Sequence, residues 1–136
     1  MTSADVGSTT RRITIDRSAH LEQQPRTGHN RWHPEVDPVL EVEPGEVVVL
    51  ETRDALDGYL NSQSTVADFA SVAMGAVHPL TGPVFVKGAK PGDLLEIEFV
   101  EIQPQHWAFS AIMPGLGFLR DTMTTPFLVH WRIADG

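Results

Sequence analysis

The chain has 136 residues, 41% hydrophobic and 21% charged, enough for one compact domain with a real core and far from a disordered composition. Eighteen acids against ten bases give a net charge of −8, a field that repels phosphate backbones and anionic bilayers, so neither a nucleic-acid nor a membrane partner is expected. The absence of cysteine excludes disulfides, thiolate zinc sites, iron–sulfur clusters and every cysteine nucleophile, including the one a nitrilase-type amide hydrolysis requires.

Residues 1–10 (MTSADVGSTT) are small and polar, carry no apolar signal segment, and read as a disordered tail ahead of a single β domain over 11–136. No apolar run approaches the ~18 residues that span a bilayer, so a cytoplasmic location is expected. Ile13 and Ile15 alternate with Thr14 and Asp16 as in a half-buried strand. Residues 18–38 are polar, His-rich and interrupted by proline, and read as irregular.

A turn–strand device then occurs twice, as EPGEVVVLETRD (43–54) and KPGDLLEIEFVEI (90–102). Proline suits the second position of a β-turn and glycine the positive φ of the third. In the second copy Leu95, Ile97 and Phe99 alternate with Leu94, Glu96 and Glu98, which predicts a strand with one buried face. Between the copies, Thr65 with Asp68 three positions on forms a capping box for one short helix carrying Val66, Phe69, Ala70 and Ala73. Val84-Phe85-Val86 and FLVHWRI (127–133) read as further strands. Short strands, dense turns and at most one or two short helices predict an all-β fold of the sandwich or jelly-roll type.

Gly115-Leu116-Gly117 lacks the third glycine of a nucleotide loop, and no serine sits in a Gly-x-Ser-x-Gly frame. Histidine and carboxylate remain. Gly28-His29-Asn30-Arg31-Trp32-His33-Pro34 holds two histidines four apart, and neutral imidazole is the commonest metal ligand and proton carrier. The spacing alone favours polar loop side chains with Trp32 covering the core edge, because Pro34 and Pro38 oppose the helix that would aim both rings together. Asp54 and Asp57 end the first Pro-Gly strand, where a site or plain Asp-Gly turn chemistry would fit. His78, between Val77 and Pro79, is either a site residue or a core-edge histidine. His20 and His106 show no partner pattern, and His130 reads as structural.

Together, Gly28 to Pro34, Pro44-Gly45-Glu46-Val47 running to Glu51-Thr52-Arg53-Asp54, Val77-His78-Pro79-Leu80-Thr81-Gly82-Pro83 and Gly88-Ala89-Lys90-Pro91-Gly92-Asp93-Leu94 resemble the acetamidase/formamidase family over about residues 11–133. The resemblance implies an all-β sandwich and hydrolysis of a small linear amide to a carboxylic acid and ammonia. It further implies a divalent metal such as zinc that activates water, with His29, Asp54 and His78 as metal ligands or their neighbours. Asp54 would be the carboxylate that takes and returns the proton, Asn30 the donor to the carbonyl or oxyanion, and Trp32 would stand with Asn30 on the substrate side. Family members are at least twice this long and carry a Gly-Asp-x-His…Gln-Gly-Asp-Gly-Glu motif that this sequence lacks. The expected partners are therefore a small amide and either further copies of the chain or a second-half chain. The alternative is a non-catalytic β-sandwich binding or assembly module, or one subunit of a split amidase.

Overall fold

The computed structural model describes residues 10–134, so the tail expected over 1–10 falls, apart from Thr10, outside the described residues. Two turns of the same chemistry punctuate the chain. At 43–46, Gly45 takes φ +87°, the Glu46 N–H donates to the Glu43 carbonyl at 3.2 Å, and the Glu46 carboxylate accepts the Glu43 N–H at 2.9 Å. At 90–93, Gly92 takes φ +100°, the Asp93 N–H donates to the Lys90 carbonyl at 3.0 Å, and the Asp93 carboxylate accepts the Lys90 N–H at 2.8 Å. The acid that follows each Pro-Gly closes the turn a second time from its side chain.

The described residues form eight strands: β1 Arg11–Ile13, β2 Gly28–His29, β3 Leu40–Val42, β4 Val48–Leu50, β5 Leu80–Thr81, β6 Val84–Val86, β7 Trp107–Ile112 and β8 Phe127–Arg132. They pair as four two-stranded ladders, β1 with β4 and β3 with β6 in parallel, β2 with β5 and β7 with β8 antiparallel. Among the described residues helical structure is confined to 3-10 turns at Leu21–Gln23, Val66–Ser71 and Met74–Ala76. The fold is all-β. Among the described residues no helix is long and apolar enough to cross a membrane.

The chain divides into two units. The first comprises the described part of Met1–Gly58 with Ala73–Asp93 and holds β1 to β6. Ile13, Leu21, Val42 and Leu56 are its buried apolar side chains. Bonds just outside the short ladders extend them: the Glu51 N–H donates to the Ile13 carbonyl, Lys87 to Val42, Val39 to Pro83 and Gly82 to Thr27. Gly28 is needed where it stands, because a Cβ there would lie 2.3 Å from the Leu80 carbonyl oxygen across the β2–β5 pair.

The second unit comprises Tyr59–Val72 with the described part of Leu94–Gly136. Its frame is the β7–β8 hairpin, six residue pairs from Trp107 opposite Arg132 to Ile112 opposite Phe127. His130 is structural here: its Nδ1 accepts the Trp107 indole N–H at 3.0 Å, which leaves Nε2 to donate to the Ser64 carbonyl at 2.8 Å. The capping box exists, with the Thr65 N–H on the Asp68 carboxylate at 2.7 Å and the Ala67 N–H on the Thr65 hydroxyl at 3.3 Å, although the turn it opens is 3-10 and buries none of its residues.

Two expectations need correction. Residues 94–102 do not form a strand with a buried face; no ladder includes them, and both alternating sets are exposed, Leu95 at 54% and Leu94 at 95%. A strand exists only with a neighbour to take its N–H and C=O groups, and none of the described residues fills that role here. Trp32 does not cover the core edge: it is 90% exposed, on a bent segment that leaves the β2–β5 pair.

Candidate functional site

The candidate residues lie in the first unit, on segments that backbone bonds draw together. β2 ends at His29, which stands opposite Leu80 of β5. β5 is tied to the end of β4 by the Thr81 hydroxyl, which donates to the Glu51 carbonyl at 2.8 Å. Beyond Glu51 the chain enters a loop organised by Asp54, whose Oδ1 accepts the Leu56 N–H and Oδ2 the Gly58 N–H, both at 2.8 Å. The next carbonyl, Ala55, accepts the His78 N–H at 3.3 Å. Three stretches far apart in sequence, around residues 29, 54 and 78, are thus joined through β5 and the Ala55–His78 bond.

The backbone is strained at this junction. Among the described non-glycine residues only Asp57 (φ +54°) and His78 (φ +44°) have positive φ, and they sit on the two loops that the Ala55–His78 bond connects. Position 78, ahead of a proline, is where an extended backbone is normal, so its conformation is imposed by the surrounding bonds. Non-glycine residues held at such angles gather at functional sites because strain persists only where the structure over-determines it.

The individual side chains differ in what they offer. His29 is half-buried, and its Nδ1 is fully enclosed with no hydrogen-bond partner. The Asn30 side-chain amide donates to the Gly75 carbonyl, which uses one of its two N–H groups. His78 is exposed. The histidine pair of the sequence separates: His33 is exposed, its Nδ1 accepts the Glu35 N–H at 3.2 Å, and with Arg31, Glu35 and Val36 it lines an open hollow of about 330 Å³. His29, Asn30, Asp54 and His78 do not line that hollow. Among the described residues no three His, Asp or Glu side chains form a group that could hold a metal ion.

Among the described residues the most buried charge is Asp57, which the sequence offered as a site or turn residue without any sign of its burial. The Asp57 carboxylate is fully enclosed; Oδ1 accepts the Arg53 guanidinium at 3.0 Å and Oδ2 the Leu21 N–H at 2.8 Å, while its carbonyl pairs with His20 Nδ1 at 2.8 Å. Arg53 also donates to the Ala19 carbonyl at 2.7 Å, and its Nε and Nη2 are enclosed without partners. This buried pair pins the 19–21 segment against the loop that carries Asp54. The four-residue spacing of Arg53 and Asp57 was the available signal, masked by the turn chemistry of Asp57-Gly58; nothing in the sequence ties His20 to either.

Hydrogen bonds from the Ser18 hydroxyl and N–H hold the Asp16 carboxyl below the usual range, and the Glu43 carboxylate holds the Lys87 ammonium above it.

Residues 14–136 match the Acetamidase/Formamidase family. The chain belongs to that family. It is 31% identical over 132 residues to an acetamidase of Mycolicibacterium smegmatis, covering 88% of this chain and 32% of the relative, and 33% identical over 99 residues to a formamidase of Methylophilus methylotrophus, covering 68% and 24%. Among solved structures, a gamma lactamase from Delftia acidovorans superposes with a TM-score of 0.80 at 31% identity, over 92% of this chain and 32% of that one. The chain therefore spans a quarter to a third of the length of these relatives.

Proposed function

We propose that the chain furnishes one part of a hydrolase site for small amides, and that the rest of the site lies in the portion of the family's length not spanned here. Membership of the family carries this reading, supported by relatives named for acetamide and formamide and by a structural relative named for a lactam, which is a cyclic amide. The reaction adds water across the C–N bond: the water oxygen joins the carbonyl carbon, the C–N bond breaks, and the nitrogen leaves as ammonia after taking a proton.

The chain's own groups suit the ends of that event. The N–H of Asn30 that Gly75 does not take is a donor for the carbonyl oxygen as it gains charge. Asp54, oriented by two backbone N–H groups, keeps lone pairs to accept a proton from water and return it to nitrogen. Trp32, exposed two residues beyond Asn30, offers an apolar wall to a substrate. A divalent ion of the zinc type, when bound, would make water nucleophilic at neutral pH. Of the three expected ligands His29 fits best, since its enclosed Nδ1 has no hydrogen-bond partner and is chemically suited to a metal, while His78 and Asp54 stand on the adjoining loops. As the described residues complete no donor set, the remaining ligands are assigned to the rest of the site.

The test is ammonia release from formamide and acetamide by the chain alone and by the chain combined with a polypeptide carrying the rest of the family's length. Turnover is expected only in the combination, reduced about 10²–10⁴-fold by Asp54→Asn, the span for loss of a general acid–base. His29→Ala is expected to lower the metal content of the complex. Ordinary turnover by the chain alone, or a fully active Asp54→Asn complex, overturns the reading.

A further inference from the structure

We propose that residues 94–102 are a docking strand, and that its occupant is a β-strand from the polypeptide carrying the remaining two thirds of the family's length. The segment has the composition of a strand without the pairing of one. Leu95, Ile97 and Phe99 alternate to one side, at 54%, 73% and 79% exposure, while the other set runs Leu94, Glu96, Glu98, Val100 and Ile102. Nine consecutive exposed residues, six of them large and apolar, form a patch that soluble surfaces seldom leave open. Its backbone groups enter no ladder among the described residues, which is the condition for strand addition by another chain.

Charge selects the occupant. A second copy that stacks Leu95, Ile97 and Phe99 on all three of its own counterparts pairs either antiparallel about Ile97 or parallel in register. Either register opposes two pairs of glutamates, Glu96 with Glu98 twice or each with its own counterpart, and directly opposed like charges destabilise a ladder. With a net charge of −8 on each copy, self-pairing is opposed at long range as well. The favoured partner strand is apolar on one face and neutral or basic opposite Glu96 and Glu98. The fold is shared with a structure three times as long at a TM-score of 0.80, so in that relative these elements belong to a larger body of chain.

The proposal rests on the amidase reading only for its choice of partner, and the two are read separately. Amide hydrogen exchange is followed across 94–102 in the chain alone and mixed with the part of the Mycolicibacterium smegmatis acetamidase outside the matched 132 residues. Fast exchange alone and about 100-fold slowing in the mixture are expected, as for amides passing from an open segment into a ladder. Ile97→Asp combined with Phe99→Asp should abolish the slowing while leaving exchange in β1 and β4 unchanged. Slowing without turnover sinks the amidase reading and keeps the docking strand. Unchanged exchange in the mixture with a partner whose circular dichroism shows it folded, a double variant that still docks, or slowing that rises with the concentration of the chain alone in dilute buffer overturns the docking proposal, the last in favour of a second copy.

Discussion

Asp57 combines three conditions that a carboxylate tolerates only with specific partners: complete enclosure, positive φ and a buried arginine beside it. An enclosed charge survives because its counter-charge and hydrogen bonds replace lost water, and removing one member strands the other. Asp57→Ala should therefore cost about 3–5 kcal/mol, by leaving the Arg53 guanidinium enclosed and unpaired. Asp57→Asn keeps a side chain that tolerates positive φ and can still accept from Leu21, so its loss should be smaller. Urea unfolding of both variants checks this; equal losses would show that the ion pair contributes little beyond its hydrogen bonds. The sequence hid the burial of this residue because Asp-Gly reads as ordinary turn chemistry, and burial of Asp57 depends on Leu21 and His20, more than thirty residues upstream.

Local chemistry explains which elements were legible. The Pro-Gly-acid turns and the Thr65–Asp68 box are each closed within four residues, so their residues dictate them wherever the chain goes. β6 and β8 announced themselves as β-branched and aromatic runs, whereas β3 and β7, flanked by Pro38 and Pro104, did not. The strand expected at 94–102 failed for the opposite reason, since its alternation is correct but pairing belongs to a neighbour. Of the site, the candidate segments were legible as family blocks, while their junction was not, because the β2–β5 pair and the Ala55–His78 bond span dozens of residues. That junction depends on Gly28. Gly28→Ala would push a methyl group onto the Leu80 carbonyl, and a backbone shift of this kind costs about 1–3 kcal/mol. Thermal unfolding measures the loss, and a variant as stable as the parent would mean that β5 yields without penalty.

At the scale of the molecule, two opposed surface properties govern the isolated chain. Leu94, Leu95, Ile97, Phe99, Val100 and Ile102 are exposed and favour association, and Phe118 and Leu119 add to them. The net charge of −8 opposes it, because each copy repels the next. Only the second of these is weakened by salt. The screening length falls from about 10 Å at 0.1 M to about 3 Å at 1 M, so repulsion between copies vanishes while apolar attraction stays or strengthens. The chain alone should therefore scatter light as a small species in dilute buffer and associate progressively as sodium chloride rises towards 1 M. The Ile97→Asp, Phe99→Asp variant should stay small throughout, because it removes apolar surface and adds charge in the same patch. If association is independent of salt, charge does not keep the copies apart; if the double variant associates like the parent, the sticky surface lies elsewhere, with Phe118 and Leu119 the next positions to change.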